Sequence, residues 1–273
     1  MPTAEDPQFH AAVVSTTHLS PSLRRIRFAL ADPAAFASSG DPDERLLVEF
    51  GDDHRRSYTV RRWDSGTGNV DIDFAVHAGG RAAEWARAAE PGEPVRLSHP
   101  KGWYRPPQDA RWQLLLADLS ALPAAARIIE GLPPGTGAHL VAEIPEPADE
   151  QDWATEADLT VTWLHDTGNG RTPSALPAWL RAHRIQDGPG YIWSAGETGA
   201  SRQIRKHVRR ELGWAADRFD IMGYWQADKE RWLARYAEVE PQIEALTMSE
   251  LSAGRSIDEV RDAVDDALEQ AGL

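Results

Sequence analysis

Over the first hundred residues, apolar side chains recur at alternate positions in short runs: FHAAVVST, LRRIRFAL, RLLVEF, RSYTVRRW, NVDIDFAVH and PVRLSH. Period-two alternation, bounded by turn-rich joints such as DSGTGN, marks strands with one face in a core. The pattern predicts six short strands and one helix, RAAEWARAA, whose good helix formers follow Gly79 and Gly80. Such spacing predicts a small antiparallel barrel over residues 8–110.

Near residue 111 the rhythm changes. Apolar runs WQLLLADL, GAHLVAEI, LTVTWLH and GYIWSAG alternate with the helical patterns ALPAAARIIEGL, SALPAWLRAH and ASRQIRKHVRREL, and a last strand ends at Tyr224 and Trp225. This alternation predicts a parallel α/β domain over residues 111–227. The stretch PEPADEQDWATEAD lacks apolar periodicity and reads as a loop with at most a short helix. Residues 228–273 form an acidic helical extension in which LARYAEVEPQIEAL and IDEVRDAVDDALEQA carry apolar stripes at helical spacing. Those stripes are expected to be buried across both domains or against a second copy, as a structural brace, so the chain is read as monomer or homodimer. The predicted fold class is therefore all-β plus α/β: barrel, parallel nucleotide-binding domain, helical tail.

Composition narrows the chemistry. The chain has 273 residues, 41% hydrophobic and 26% charged, with 29 Lys and Arg against 43 Asp and Glu, a net charge of −14. Nucleic-acid binding driven by overall charge is excluded on that balance, and any anion site must be a local cluster. The absence of Cys removes disulfides, thiolate nucleophiles and all-Cys iron–sulfur clusters. Nine His are scattered without metal-binding spacing, so no metal site is expected. The N-terminus MPTAEDPQFH lacks a basic segment followed by an apolar one, and no apolar run reaches membrane-spanning length. A cytoplasmic protein without membrane insertion is expected.

Against the acidic background, HRRSYTVRRW packs four arginines around Tyr58 and Thr59. On a strand ending at a cleft, Arg56 could fork onto a phosphate, Tyr58 could lie on a planar heterocycle, and the Thr59 hydroxyl could reach a ring nitrogen or carbonyl. A flavin nucleotide needs all three; an edge strand with a charged outer face gives the same alternation. The joint AGGRAAEWA frees backbone N–H groups at a helix start, suited to pyrophosphate or to a plain turn. In WSAGETGASRQIRK, a strand end, a glycine turn and a helix with Arg202 and Arg205 one turn apart could hold a nicotinamide nucleotide and its 2′-phosphate; a solvated basic helix face fits equally. No complete G-x-G-x-x-G and no G-x-S-x-G is present. In order, the strand, the glycine-started helix and the α/β domain point to a flavin reductase.

The stretches RSYTVRRW, VDIDFAVHAGGRAAEWA, LLLADLSALPAAARIIEGLP, YIWSAGETGASRQIRKHVRREL and IMGYW resemble the siderophore-interacting protein family, ferric-siderophore reductases related to ferredoxin–NADP reductases, along nearly the whole chain. The resemblance implies FAD on the barrel, NADPH or NADH on the second domain, and a ferric siderophore as electron acceptor. It places Arg56, Ser57, Tyr58 and Thr59 on the flavin, with His77, Gly80, Ala82 and Ala83 at the pyrophosphate turn. Ser120, Gly196, Glu197, Arg202, Arg205, Tyr224 and Trp225 complete the expected cofactor contacts. Departures from the family pattern are Gly80-Arg81-Ala82-Ala83, His99-Pro100-Lys101-Gly102 and Asp118-Leu119-Ser120-Ala121-Leu122-Pro123. Arg61, Arg62, Lys101, Lys206, Arg209 and Arg210 are candidates for attracting an anionic chelate, or solvated surface. Electron transfer between aligned cofactors calls for no catalytic nucleophile or acid–base pair. Two other readings stay open: a flavin- or siderophore-binding protein with little turnover, and a flavin reductase donating to another protein that docks on the acidic tail.

Overall fold

The computed structural model describes residues 8–51, 54–77 and 79–273, so most of the N-terminal stretch read for a targeting signal lies outside the described residues. The first unit is a seven-stranded antiparallel sheet: β1 (Phe9–Ser20), β2 (Leu23–Leu30), β3 (Arg45–Phe50), β4 (His54–Thr59), β5 (Arg62–Asp64), β6 (Asn69–Ala75) and β7 (Pro94–Leu97), in the order β4-β3-β7-β1-β2-β6-β5. One helix, α1 (Arg81–Ala88), lies between β6 and β7.

The alternation in LRRIRFAL has a direct cause. Leu23, Ile26, Phe28 and Leu30 are buried, while Arg25 and Arg27 stand opposite Asp73 and Asp71 of β6 and fork onto their carboxylates at 2.7–2.8 Å. Cross-strand pairing of opposite charges fixes this register, since a one-residue slip would turn both arginines into the core.

The sheet has seven strands rather than the expected six because RSYTVRRW changes partner midway. Val60 N–H donates to Glu44 O on the β3 side at 2.9 Å, and Arg61 N–H to Asp71 O on the β6 side at 2.8 Å. The chain thus steps from one end of the hydrogen-bonded order to the other and curls the sheet; Tyr58 of β4 meets Phe74 of β6 with ring centroids 4.3 Å apart. A continuous alternating pattern carries no mark of this switch, because the period of two continues whichever strand is the partner.

The second unit is a parallel five-stranded sheet of β8 (Trp112–Ala117), β9 (Gly137–Ile144), β10 (Asp158–His165), β11 (Gly190–Glu197) and β12 (Phe219–Trp225), ordered β10-β9-β8-β11-β12. Helices α2 (Leu122–Gly131), α3 (Leu176–Ala182) and α4 (Thr198–Lys206), the last running into a π turn over His207–Glu211, cover it. Strands β8 and β11 are buried almost throughout, as a sheet covered on both faces requires. The joint between β9 and β10 holds only a 3₁₀ turn, Pro147–Asp149.

The two units are tied together. Asp149, fully buried, accepts from Ser20 Oγ at 2.6 Å and Ser22 N at 2.8 Å, Arg127 donates to Val60 O at 2.5 Å, and Leu23 of the barrel packs into the core beneath α2. The tail is the helical pair α5 (Lys229–Ser252) and α6 (Ile257–Gln270), the second opened by a Ser256–Glu259 capping box. The expected stripe on α5 is only partly covered: Ile243 is buried, but Leu233, Met248 and Leu251 are exposed. The closest ties of the tail are instead ionic, between α6 and the α4 segment.

Candidate functional site

The predicted site residues lie on three parts of the structure, two on the barrel and one on the parallel sheet. The first is the outer end of β4. Arg56 is exposed, and among the described residues its guanidinium donates only to the Arg55 carbonyl, at 2.8 Å. Ser57 is exposed beside it, Tyr58 is half-buried against Phe74, and Thr59 is buried with no partner for its hydroxyl. Partial desolvation pushes the His54 imidazole pKa down, and the positive charges of Arg56, Arg81 and Lys229 push it the same way. These cations from β4, α1 and α5 therefore share one neighbourhood.

The second part is the start of α1. Gly79 and Gly80 have φ of 78° and 90°, backbone conformations that side-chain-bearing residues rarely adopt, and Gly80 is the N-cap. The first-turn N–H groups of Arg81, Ala82 and Ala83 lack intrahelical acceptors by geometry. Ala83 is buried and Ala82 packs against the barrel core, so the small residues let the helix seat closely. His77 is exposed, and its carbonyl accepts from Arg87.

The third part is the crevice at the carboxyl ends of β8 and β11, where the strand order reverses. Open parallel sheets bind ligands at such a point. Asp118, fully enclosed, accepts from Ser120 N at 2.9 Å, Ser120 Oγ at 2.6 Å and Trp225 Nε1 at 2.6 Å. Burial nonetheless pushes its carboxyl pKa up, those hydrogen bonds opposing. Gly196 passes so close that an added Cβ would lie 2.7 Å from Asp118 Oδ2. Glu197 caps α4 by accepting from Ala200 N at 2.9 Å and also takes Ala227 N at 3.3 Å. Arg202 is half-buried, with no hydrogen-bonded partner among the described residues.

Tyr224 joins the sheet to the barrel. Its side chain is half-buried with the hydroxyl enclosed, that hydroxyl has no well-formed hydrogen bond, and burial pushes its phenol pKa up while Arg45 and Thr59 pull it down. The enclosed hydroxyls of Thr59 and Tyr224 thus meet at the domain junction, near enough for Thr59 to act on the Tyr224 phenol but without a well-formed hydrogen bond to each other or to another described residue. Buried polar groups are rarely left so, and a planar ring with nitrogen and carbonyl edges would satisfy both. With Arg56 and the α1 start for phosphates, the residues present fit FAD.

The other predicted cations stand elsewhere. Arg205 donates to Asp265 Oδ2 at 2.6 Å and to Ile221 O at 2.8 Å, with a side chain only 12% exposed. Lys206 pairs with Glu269 at 2.5 Å, Arg209 with Asp262 at 2.7 Å and Arg210 with Asp266 at 2.6 Å. Arg61 pairs with Glu130 at 2.5 Å. Arg205, expected on a 2′-phosphate, and Arg61, Lys206, Arg209 and Arg210, expected to attract a chelate, are thus each ion-paired within the fold. Arg62 and Lys101 are exposed. Sequence reasoning missed Arg45 and Asp43, whose charges act on Tyr224 and the second of which accepts from Trp103 N at 2.9 Å and Tyr104 N at 3.0 Å; neither gives a local signal. It also missed Asp118 as a site residue, although an acid closing the apolar run LLLAD at a strand end was a visible one.

An antiparallel barrel joined to a parallel five-stranded sheet is the fold of ferredoxin reductases; that of carbazole 1,9a-dioxygenase is 18% identical with a TM-score of 0.60, the match covering 80% of this chain and 69% of that one. The chain belongs to the siderophore-interacting protein family: residues 51–104 match the siderophore-interacting FAD-binding domain and residues 110–228 the siderophore-interacting protein domain. A siderophore utilization protein from T. fusca, known from its crystal structure, is 30% identical with a TM-score of 0.70, the match covering 80% of this chain and 92% of that one. The ferric vibriobactin reductase ViuB of Vibrio cholerae is 29% identical over 177 residues, 64% of this chain and 65% of that protein. The NADPH-dependent ferric-chelate reductase of Escherichia coli is 29% identical over 176 residues, 63% of this chain and 66% of that protein. Among the described residues no helix is long and apolar enough to cross a membrane.

Proposed function

We propose that this protein is a ferric-siderophore reductase that takes electrons from NADPH or NADH and delivers them to an Fe(III)–siderophore, freeing Fe(II) for use in the cytoplasm. FAD supplies the exchange between a two-electron hydride donor and a one-electron iron acceptor. The observation that carries the reading is the unsatisfied Thr59 and Tyr224 pair at the domain junction, in a chain of this family. Arg56 and the α1 start bind the phosphates by charge and backbone donors. Thr59 and Tyr58 orient the ring, and Tyr224 with Trp225 excludes water from the junction. The crevice around Asp118, Gly196 and Glu197 receives the nicotinamide nucleotide, with Arg202 the arginine of that helix still free to meet it. Reduction suits iron release because hard oxygen donors hold Fe(III) more tightly than Fe(II).

The deciding experiment begins with an absorbance spectrum of the purified protein with FAD. Anaerobic addition of NADPH or NADH should bleach the flavin band, and a ferric siderophore should then restore it while a nitrogen-donor chelator traps Fe(II). Absence of bound flavin after incubation with excess FAD overturns the reading. Bound flavin that neither nucleotide bleaches reduces the protein to a binding role.

A further inference from the structure

Arg45 opens β3 directly opposite Thr59 in the β3–β4 ladder. Its backbone is clamped to Lys101 by two hydrogen bonds, 2.7 Å from Arg45 N to Lys101 O and 2.9 Å in return. The side chain leaves that ladder and crosses to the other domain, where its guanidinium carbon lies 4.1 Å from the Tyr224 ring centroid. The Trp103 ring is 5.1 Å away, and Nη2 is 3.9 Å from Met222 Sδ. Among the described residues no ion pair holds it, and its buried Nε has no hydrogen-bond partner. Arginine is the side chain most suited to forked pairing with carboxylates, so one clasped by two aromatic rings is committed by packing rather than by pairing.

We infer that Arg45 is a positioning residue for Tyr224. It pins that ring across the domain junction, keeps the Tyr224 and Thr59 hydroxyls side by side, and places a fixed positive charge beside the FAD site; it is not a ligand of the ferric chelate. The inference rests on the FAD reading above. The geometry supports it from both sides: the same residue is ladder partner to Thr59 and stacking partner to Tyr224, so the two unsatisfied hydroxyls are registered against one side chain. A cation held near a group that gains negative charge on reduction stabilises its reduced form.

Two substitutions separate charge from stacking. Arg45→Met keeps length and removes charge. It should weaken FAD binding about tenfold, the loss expected from one desolvated cation–π contact, and shift the flavin midpoint potential to more negative values. Arg45→Lys keeps the charge without the planar stack, so its potential should stay near that of the native protein while FAD binding weakens severalfold. A purely structural role would lower the melting temperature and leave the potential alone. A folded, FAD-loaded Arg45→Met protein with native potential overturns the inference. So does a rise in KM for the ferric chelate with native potential and FAD affinity, which would make Arg45 a substrate ligand. If the Met variant does not fold, the Lys variant decides: native FAD affinity refutes positioning, weakened affinity with retained potential supports it. A native protein that binds no FAD refutes the cofactor reading itself, whatever Arg45 does.

Discussion

Two basic surfaces on this acidic chain look alike as sequence and differ in structure. On the β4–α1 edge, Arg56 is exposed, lacks a carboxylate partner, and shares its neighbourhood with Arg81 and Lys229. On the α4 segment, Arg205, Lys206, Arg209 and Arg210 meet Asp265, Glu269, Asp262 and Asp266 of α6. The acidic residues recur at three- and four-residue spacing on α6, as do the basic ones facing them, so two helix faces are matched charge for charge. Residues 227–273 hold 12 acidic and 5 basic groups, and α6 spends much of that excess on neutralising one helix. Basic residues become an anion site only when no partner elsewhere in the chain has claimed them. Here the claim comes from more than fifty residues downstream.

Cutting the chain after Ala227 tests this contrast most severely. It strips α4 of all four partners at once, so the melting temperature should fall by at least ~5 °C, the shift a loss of about 2 kcal/mol gives in a domain of this size. The uncovered α4 face should then bind a polyanion such as heparin, which the full chain is expected not to do, while the FAD spectrum of the folded fraction stays native. A truncated protein of full stability that has lost its flavin would place the tail in the active site and dissolve the distinction. The next effect is on the free edge. Arg56→Ala should weaken FAD binding by about 1.5–3 kcal/mol, one charge-assisted contact, which is roughly 10- to 150-fold in Kd by flavin titration. An unchanged Kd would mean that Arg56, too, is mere surface.

Much of the fold was legible because burial imposes periodicity: the period-two runs of the barrel, the continuous apolar WQLLLA and YIWSA of the covered sheet, and the helical stripe of α6 each mark a face. The step at Val60–Arg61 was not, since a change of strand partner leaves the alternation intact. Nor were the α4–α6 pairs, because long-range charge complementarity has no local signature. Arg45 is the sharpest instance. Nothing in DERLLVEF distinguishes an arginine that will stack under Tyr224, some 180 positions later, from one that begins an ordinary strand.

The two regions touch at Asp220, which feels Arg45 from the junction and Arg205 and Arg261 from the α4–α6 side. Burial, helped by the negative charge of Asp43, pushes its carboxyl pKa up to about 6, and its Oδ2 has no partner. A folded pKa above the unfolded 3.8 means that the folded state binds the proton more tightly. The ionised form therefore costs stability, a cost absent below the unfolded pKa, growing between it and about pH 6, and complete above that. Asp220→Asn should accordingly raise stability by about 1–3 kcal/mol at pH 7.5 and change little at pH 3.5, compared by denaturant midpoints of variant and native protein. Equal effects at both pH values would show that Asp220 is ionised at neither cost nor gain, and that the cations of the two regions already compensate it.

The smallest effect is expected at Lys206. Its pair with Glu269 is short, 2.5 Å, but the two side chains are 43% and 65% exposed, and water competes for both ends. Glu269 raises the Lys206 pKa by hydrogen bond and charge, yet that shift translates poorly into stability in so open a position. Lys206→Ala should leave the denaturant midpoint close to the native value, with any difference fading in high salt as screening replaces the pair. It should leave both FAD affinity and the KM for a ferric chelate at native values, because the tail, not a ligand, is what this lysine meets. A rise in chelate KM at low salt, with native stability, would show α6 lifting away to expose the α4 face during turnover. The two basic surfaces would then differ in timing rather than in availability.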